Sequence, residues 1–358
     1  MRIQHIQIKN FRCFEDVSLN IEKPIVLISG ENGSGKSSLL EAIHYGCYLR
    51  SFRTHLPKEL IHFDADNFYI KMHMQSNDQL DYNLQIGFSG KKRLVKIDEK
   101  AITSYKDLAH LYRIITITED DLSIIKGGPE VRRLFIDQAV SLQFPEFIMH
   151  LKKYRHILDN RNAFLDKGLC GHEMFTIWTQ QLWEQSSLIQ KYRIGLLEEL
   201  QNRTNILLSN WFNESIVIRL DYQQKKMKET SFDLFMDASY DLFLLEQRYK
   251  RSLFGSHLDD ISIEFCHKTS RSFASRGQQK LILMLLKIAQ MQTILHHNGS
   301  AIFLLDDFMT DFDPIKSKIL IGILQSLKSQ LFFTSPSAQG PFEDFLLTQD
   351  TQHIKLTM

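Results

Sequence analysis

An octapeptide at residues 30–37 constrains the fold more than any other feature of this sequence. It reads Gly30-Glu31-Asn32-Gly33-Ser34-Gly35-Lys36-Ser37 and fits the pattern GxxxxGK[ST]. It follows the apolar run Ile25 to Ser29 and precedes a segment, Lys36 to Leu49, whose apolar residues recur at helical spacing. A strand, a glycine-rich turn and a helix in this order predict a P-loop, because the glycines let successive backbone N–H groups turn towards a phosphate. A chance Gly/Ser turn would have to match both flanking elements as well.

The residue types within the loop predict a nucleotide and a metal ion. The helix N-terminus adds partial positive charge, Lys36 is placed to reach the β and γ phosphates, and the Ser37 hydroxyl is placed to bind Mg²⁺. The predicted nucleotide contacts are Gly30, Glu31, Asn32, Gly33, Ser34, Gly35, Lys36, Ser37 and Ser38.

A P-loop needs a second strand that ends in an acid, and the segment 301–307 supplies one. The apolar run Ala301 to Leu305 is followed by Asp306 and Asp307. We expect Asp306 to lie behind the Mg²⁺ held by Ser37, and Asp307 to polarise the attacking water as the catalytic residue. Many ATPases use glutamate at the second position, so the shorter aspartate favours slow hydrolysis. The alternative is a buried strand with a polar end.

A third segment begins a helix about 30 residues before the acidic strand. Its residues Ser275, Arg276, Gly277 and Gln278 resemble the signature loop of ABC-type ATPases, which binds the γ-phosphate of ATP held by the opposite subunit. Ser275 is also a suitable helix N-cap, and the two roles are compatible. Downstream, the segment Thr310-Asp311-Phe312-Asp313-Pro314 falls at the position of the D-loop of that family.

The periodicity predicts an α/β chain with an insertion. Alternating apolar residues in the first hundred positions predict a hairpin, a buried strand and an antiparallel meander, whereas residues from about 129 to 211 follow a helical period. Strand and helix alternation returns near residue 216. We therefore predict an ABC-type P-loop ATPase head with an N-terminal antiparallel β subdomain and an inserted helical second lobe, divided as 1–125, 126–215 and 216–358.

The distance of 270 residues between Lys36 and Asp306 is too long for a transporter ATPase subunit, and the helical insertion is too short for a long coiled coil. In this context the chain resembles the RecF family from end to end. The resemblance rests on these blocks: Asn10-Phe11-Arg12, Arg50-Ser51-Phe52-Arg53-Thr54, Asp121-Leu122, Lys126-Gly127, Pro129, Arg132-Arg133 and Arg161-Asn162-Ala163.

The resemblance implies a head like that of Rad50 that binds ATP and Mg²⁺, forms an ATP-dependent homodimer and binds single-stranded and double-stranded DNA at gap junctions. It implies RecR and RecO as partners in loading RecA, and weak ATP hydrolysis coupled to dimer dissociation, without covalent chemistry on DNA. It also implies that Arg12 contacts the nucleotide phosphates. The chain departs from the family at Glu119, at Leu258 and in the D-loop at Asp311-Phe312-Asp313.

The formal net charge of +1 means that DNA would have to be held by local basic patches. The candidates for such contacts are Arg50, Arg53, Lys91, Lys92, Arg93, Arg132, Arg133, Lys152 and Lys153. Taken singly, each of them is better explained as an ordinary solvated surface charge than as a DNA contact.

Two other classes of function stay open at this point. A Rad50-like or OLD-like head that gates a nuclease is the main alternative, and a transporter ATPase subunit is disfavoured by the 270-residue spacing. Apolar runs of about six residues fall short of the roughly 20 needed for a bilayer span, and the N-terminus lacks the pattern of a signal peptide. We therefore expect a cytoplasmic protein without a membrane partner.

Overall fold

The computed structural model describes residues 2–76, 79–102, 113–212, 216–227, 229–309, 311–336, 341–347 and 349–357. The chain divides into two compact units, of which the first comprises Met1–Asp121 with Lys287–Met358 and the second Leu122–Leu286. The strands in the described ranges are β1 (Arg2–Phe11), β2 (Phe14–Asn20), β3 (Ile25–Ser29), β4 (Phe68–Gln75), β5 (Asp81–Ser89), β6 (Lys92–Ile97), β7 (Lys100–Ala101), β8 (Ile114–Ile117), β9 (Ile218–Gln223), β10 (Asp260–Phe265), β11 (Lys268–Thr269), β12 (Ile302–Leu305), β13 (Gln330–Ser335) and β14 (Thr351–Lys355).

The first unit contains an antiparallel sheet in the order β2-β1-β4-β5-β6-β7. Its strands alternate buried and accessible residues, so that Ile6 and Ile8 of β1 and Ile70 of β4 are fully buried. This alternation is typical of a sheet with one face on a core and one face in solvent. The antiparallel subdomain and its β4-β5-β6 meander agree with the prediction from sequence.

A parallel sheet in the order β14-β3-β13-β12-β8 forms the other layer of this unit. Strands β3, β8, β12 and β13 are buried along their whole length, as is typical of a parallel sheet covered on both faces, and most of their residues are apolar. The helices of the unit are Lys36–Tyr48, Pro314–Ser326 and Pro341–Leu346, with 3₁₀ turns at Pro57–Leu60 and Glu119–Leu122, the last of which ends one residue into the second unit.

The second unit is mainly helical, and it also contains the antiparallel sheet β11-β10-β9. Its helices are Ser123–Lys126, Pro129–Gln143, Phe147–Asp166, Glu173–Trp211, Phe232–Ala238, Tyr240–Tyr249 and Ser270–Phe273. The helix Arg276–Asn298 contains the point at which this unit ends and the first resumes. Within the described ranges, no helix combines the length and the apolar character needed to cross a bilayer.

The predicted return to the head at residue 216 needs correction, because residues 216–286 belong to the second unit. The reason is a set of hydrogen bonds between strand β9 and the long helix Glu173–Trp211. Asn205 pairs with both the N–H and the C=O of Ile218 at 2.9 Å, and Gln201 accepts the N–H of Leu220 at 2.7 Å. Strand β10 then pairs with β9 along its whole length.

Three arginines of the second unit are buried against carboxylates. Arg193 pairs with Asp137, and Arg132 pairs with Asp260. Arg161 and Glu246 are both fully buried and form two hydrogen bonds of 3.1 and 2.5 Å, while the Arg161 guanidinium also lies 4.7 Å from the ring centres of two phenylalanines, Phe175 and Phe254. A buried charge is tolerated only when it is paired and hydrogen-bonded, so these pairs fix the packing of the helices and the strand that carry them.

We predict that Arg161→Leu lowers the free energy of unfolding of the second unit by about 3–5 kcal/mol, because Glu246 would stay buried without its partner. The three tryptophans of the chain all lie in the helix Glu173–Trp211, so their fluorescence during urea denaturation reports on this unit. The matched control is Lys250→Ala, which removes an exposed ion pair with Asp166 and should cost no more than about 1 kcal/mol. Equal costs for the two variants would contradict the prediction.

Candidate nucleotide-binding site

Three neighbouring parallel strands end at one edge of the second sheet of the first unit. Strand β13 lies between β3 and β12. Phe333 of β13 pairs with Leu305, the last residue of β12, and the next residue, Thr334, pairs with Ile28 of β3. The glycine-rich loop leaves the end of β3, and Asp306 and Asp307 follow the end of β12. The carboxyl ends of parallel strands are where ligands bind in open α/β sheets.

The backbone of the loop requires glycine at two positions. Gly33 and Gly35 have φ angles of 92° and 94°, in the left-handed region that favours glycine. A Cβ atom at Gly35 would also lie 2.7 Å from the ring of Phe14 and 2.8 Å from the Cys13 sulfur. The turn after β1 and the first residue of β2 therefore pack directly against the start of the helix Lys36–Tyr48.

The side chains of the loop present polar groups that fit a phosphate. Lys36 is buried, and its ammonium donates to the carbonyl oxygens of Gly30 and Glu31 at 2.8 and 3.0 Å. Ser34 is 7% exposed, and among the described residues its hydroxyl has no hydrogen-bond partner. A buried hydroxyl without a partner is costly unless a ligand satisfies it, so this loop fits an anionic ligand with several acceptor oxygens.

Ser37 and Asp306, 269 positions apart in the sequence, meet at this edge, where the Ser37 hydroxyl donates to the Asp306 carboxylate at 2.9 Å. Burial raises the pKa of Asp306, and hydrogen bonds from Ser37 and Thr334 partly oppose that effect. A hydroxyl beside a carboxylate is the donor set that suits Mg²⁺. The structure thus brings together the two residues for which the sequence predicts a shared metal ion.

Asp307 is held by Thr334, a residue that was not predicted from the sequence. The backbone of Asp307 has a φ of 47°, and its N–H donates to the Thr334 hydroxyl at 2.7 Å. The same hydroxyl lies 3.0 Å from a carboxylate oxygen of Asp306 and 3.1 Å from one of Asp307. The sequence feature that could have indicated Thr334 is its position as the polar last residue of the otherwise apolar run Leu331 to Thr334.

Arg12 forms an ion pair with Glu41, which lies on the helix that follows the loop. It forms hydrogen bonds of 2.9 and 2.8 Å with Glu41 and a third, of 2.9 Å, with the carbonyl oxygen of Glu59. Glu41 is fully buried, and it also accepts from the Ser51 hydroxyl. Glu41 was not among the residues predicted from the sequence, although a glutamate among the apolar residues of an amphipathic helix was a usable signal.

Arg53 lies in the same cluster, 3.8 Å from Glu41, and its positive charge lowers the pKa of Asp306 against the dominant effect of burial. The sequence predicts Arg53 as a contact for DNA. Because the Arg53 charge also influences Asp306, it bears on the candidate nucleotide site as well as on any DNA contact.

His44 connects the helix after the loop to strand β8 through a hydrogen bond with Thr116. Burial and the nearby Lys287 ammonium lower the pKa of His44 to about 3, so the ring is neutral at pH 7. It forms a 2.7 Å hydrogen bond with the Thr116 hydroxyl of strand β8, and Lys287 donates to the Thr116 carbonyl at 2.9 Å.

The signature-like loop belongs to the second unit and is exposed. Ser275 accepts the N–H of Gln278 at 3.3 Å, and the Gln278 side chain accepts the N–H of Ser275 at 2.8 Å. This reciprocal pair is a capping box that starts the helix Arg276–Asn298, as expected for an N-cap serine. Arg276 and Gly277 are also exposed, and a Cβ at Gly277 would meet open space.

The D-loop segment follows strand β12 in the first unit. Asp313 accepts the N–H of Lys316 at 2.9 Å and caps the helix Pro314–Ser326, while the ring of Phe312 lies 6.1 Å from that of Phe308. Thr310, the first residue of the predicted segment, lies outside the described residues.

The structure corrects one of the candidate DNA contacts. Arg132 is 6% exposed and is held by Asp260 through two hydrogen bonds, so its charge is already compensated. Arg133 is partly buried and donates to the carbonyl oxygen of Asp259 at 2.6 Å. The other candidates are exposed: Arg50, Arg53, Lys91, Lys92 and Arg93 in the first unit, and Lys152 and Lys153 in the second.

The parallel sheet, the glycine-rich loop and the paired acids define a P-loop ATPase head of the ABC type. A sequence model described as "RecF/RecN/SMC N terminal domain" matches residues 2–343. A curated "DNA replication and repair protein RecF" from Bacillus cereus is 30% identical over 372 residues, which cover 99% of this chain and 97% of that protein. The protein of the same name from Natranaerobius thermophilus is 29% identical, over 96% of this chain and 92% of its own length. The chain therefore belongs to the RecF family.

Solved structures agree with this assignment. A structure described as "the recombination mediator protein RecF-ATPrS in RecFOR pathway" superposes with a TM-score of 0.83 at 25% identity, covering 99% of this chain and 96% of that chain. A second, described as RecF-ATP, has a TM-score of 0.83 at 26% identity and covers 94% of each chain. An Smc head domain from Pyrococcus furiosus shares the fold, with a TM-score of 0.56 at 14% identity over 96% of this chain and 91% of that one.

We predict that Gly35→Ala lowers the free energy of unfolding by about 1–3 kcal/mol. The alanine would have to adopt the left-handed backbone that Gly35 occupies, and its Cβ would overlap Phe14 and Cys13. Urea denaturation followed by far-UV circular dichroism measures the change. The control is Gly87→Ala in strand β5, where a Cβ meets nothing within 4 Å. Wild-type stability of Gly35→Ala would mean that the loop tolerates a side chain there.

Proposed function

We propose that this protein is an ATP-dependent DNA-binding protein of recombinational gap repair and replication restart. The observation that carries the proposal is the 2.9 Å contact between Ser37 of the P-loop and Asp306, with Asp307 beside it. Support comes from curated relatives named "DNA replication and repair protein RecF" and from similar solved structures described as RecF-ATP and RecF-ATPrS.

The residues of the site divide the work of binding and hydrolysing ATP. The backbone N–H groups of residues 30–38 and the Ser34 hydroxyl would donate to phosphate oxygens, and Lys36 would exchange two carbonyl contacts for charge-assisted bonds to the β and γ phosphates. Mg²⁺, held by Ser37 and Asp306, would supply charge neutralisation at those phosphates. Asp307 would orient and polarise the attacking water, and its short side chain is consistent with slow turnover.

Arg12 would reach the phosphates only by giving up part of its pairing with Glu41, which is fully buried. Arg53, 3.8 Å from Glu41, is placed to compensate that carboxylate when Arg12 moves. The two arginines would thus share one buried negative charge, and a buried carboxylate needs such a partner at all times.

The exposed signature-like loop would act between two copies of the protein. Ser275, Arg276, Gly277 and Gln278 of one protomer would contact the γ-phosphate of ATP bound by the other, so ATP would promote a homodimer and hydrolysis would time its dissociation. On DNA, the dimer would act at gap junctions with RecO and RecR to promote loading of RecA on single strands in the cytoplasm. The RecFOR pathway named for the similar solved structures supports these partners.

We predict that three variants separate these roles. Lys36→Met should abolish tight ATP binding, because a charge-assisted contact contributes about 1.5–3 kcal/mol and supports the rest of the loop. Asp307→Asn should bind ATP but hydrolyse it about 10²-fold more slowly, since it lacks the carboxylate that polarises water. Ser275→Arg should bind ATP and fail to dimerise. Light scattering and ATPase assays on all three variants measure the contrast.

Two controls keep this series interpretable. Lys23→Met removes an exposed lysine outside the loop, and Ser272→Arg adds the same charge at an exposed position three residues before Ser275. Both should behave as wild type. Normal ATP-dependent dimerisation of Ser275→Arg, or wild-type turnover by Asp307→Asn, would show that the roles are assigned wrongly.

We also predict that DNA affinity rises with ATP and falls steeply with salt, because a dimer presents two basic surfaces to the phosphates. The double substitution Lys91→Gln and Lys92→Gln should weaken duplex binding and reduce the salt slope by about 0.9 for each DNA phosphate that is no longer neutralised. Filter binding or anisotropy with single-stranded, duplex and gapped DNA, with ATP and with ADP, measures these quantities.

The matched control removes two exposed lysines elsewhere, Lys225→Gln and Lys226→Gln, and should leave affinity unchanged. Equal affinity with ATP, ADP and no nucleotide would contradict the coupling of ATP to DNA. Cleavage of labelled DNA in the presence of ATP and Mg²⁺ or Mn²⁺ would instead support a head that gates a nuclease.

A further inference from the structure

The Thr334 hydroxyl lies next to two carboxylates, those of Asp306 and Asp307. It lies 3.0 Å from a carboxylate oxygen of Asp306, 3.1 Å from one of Asp307 and 3.5 Å from the carbonyl oxygen of Leu305. The residue is 2% exposed, at the end of the central strand of the parallel sheet, so it has no freedom to move into solvent.

The number of hydrogen bonds that a hydroxyl can make limits what this group does. It has one proton to donate, and it accepts the N–H of Asp307 at 2.7 Å. It can therefore donate fully to only one of the two carboxylates at a time. Asp306 also accepts a hydrogen bond from Ser37, whereas Thr334 holds Asp307 at two points, its backbone N–H and its carboxylate.

The contact between Thr334 and Asp307 stabilises an unusual backbone conformation of Asp307. The φ of 47° at Asp307 lies in the left-handed region, which is uncommon for residues other than glycine although aspartate enters it more readily than most, and surrounding contacts hold the residue there. The bond from the Asp307 N–H to Thr334 is such a contact. It fixes the direction in which the Asp307 side chain leaves the end of strand β12.

We propose that Thr334 is a positioning residue for Asp307, whose hydroxyl fixes the left-handed backbone of Asp307 and aims its carboxylate at the attacking water. This rests on the proposed ATPase function. Thr334 itself touches neither water nor phosphate in this role, and Asp306 keeps its hydrogen bond from Ser37 when the Thr334 hydroxyl is removed. The main effect of Thr334 therefore falls on turnover rather than on affinity for ATP. Valine has the same shape as threonine without the hydroxyl, and serine keeps the hydroxyl without the methyl group.

The test compares kcat and KM for ATP in three variants of the full chain. Thr334→Val should lower kcat by about 10-fold to 10²-fold with KM within about threefold of wild type, and Thr334→Ser should restore kcat to within about threefold. The control is Thr293→Val, because Thr293 is equally buried in the same unit and its hydroxyl has no partner among the described residues. Its kcat should equal that of wild type.

A double-mutant cycle shows whether Thr334 acts through Asp307. In the Asp307→Asn background, Thr334→Val should reduce kcat by less than about twofold further. Binding of ATP, measured by equilibrium dialysis, and ATP-dependent dimerisation, measured by light scattering, should be unchanged in Thr334→Val.

The outcomes distinguish the inference from the function on which it rests. Wild-type kcat in Thr334→Val, equal decreases in the Val and Ser variants, or a full decrease added to that of Asp307→Asn would overturn the inference while leaving the ATPase in place. Absence of ATP binding and turnover in the wild-type protein would overturn the proposed function, and the inference with it. A rise in KM that accounts for the whole decrease in kcat/KM would overturn the inference by showing that Thr334 serves binding instead.

Discussion

The candidate site depends on the parallel pairing of three adjacent strands, β3, β13 and β12. Neighbouring strands lie about 4.8 Å apart, so groups at the ends of β3 and β12 are separated by a single strand. This distance is short enough for a helix that starts at the first end to place Ser37 against Asp306, which follows the second. The strand between them brings Thr334 into contact with both carboxylates. A change in the order of the strands would separate all of these groups.

The charges around this edge are compensated by named partners. Glu41 is fully buried and is satisfied by Arg12, Ser51 and the more distant Arg53, while the raised pKa of Asp306 is limited by two hydroxyl donors. Because an isolated buried charge is strongly unfavourable, each carboxylate requires its own donors. The site is therefore organised by polar contacts that the apolar sheet holds at fixed positions.

In the second unit, buried ion pairs connect distant segments of the chain instead of organising a candidate site. Arg161 with Glu246, Arg193 with Asp137 and Arg132 with Asp260 connect helices and strands that are up to 128 positions apart in the sequence. Breaking such a pair leaves a buried charge alone, so the pairs make one packing arrangement strongly preferred. This also explains why Arg132 cannot be counted among the surface charges available to DNA, although its sequence context, Arg132-Arg133, suggested a basic patch.

Local patterns in the sequence were enough to define the class of fold, the position of the loop and the pair of acids, because these depend on glycine spacing, a buried apolar strand, and the residue types at its end. They also indicated the capping serine of the signature-like loop, which depends on residues only three positions apart. Contacts between distant segments account for the rest. That residues 216–286 belong with the second unit follows from hydrogen bonds between β9 and a helix, and the roles of Glu41, Arg53 and Thr334 follow from neighbours remote in the chain. No local pattern records such contacts, because they exist only after the strands have paired and the helices have packed.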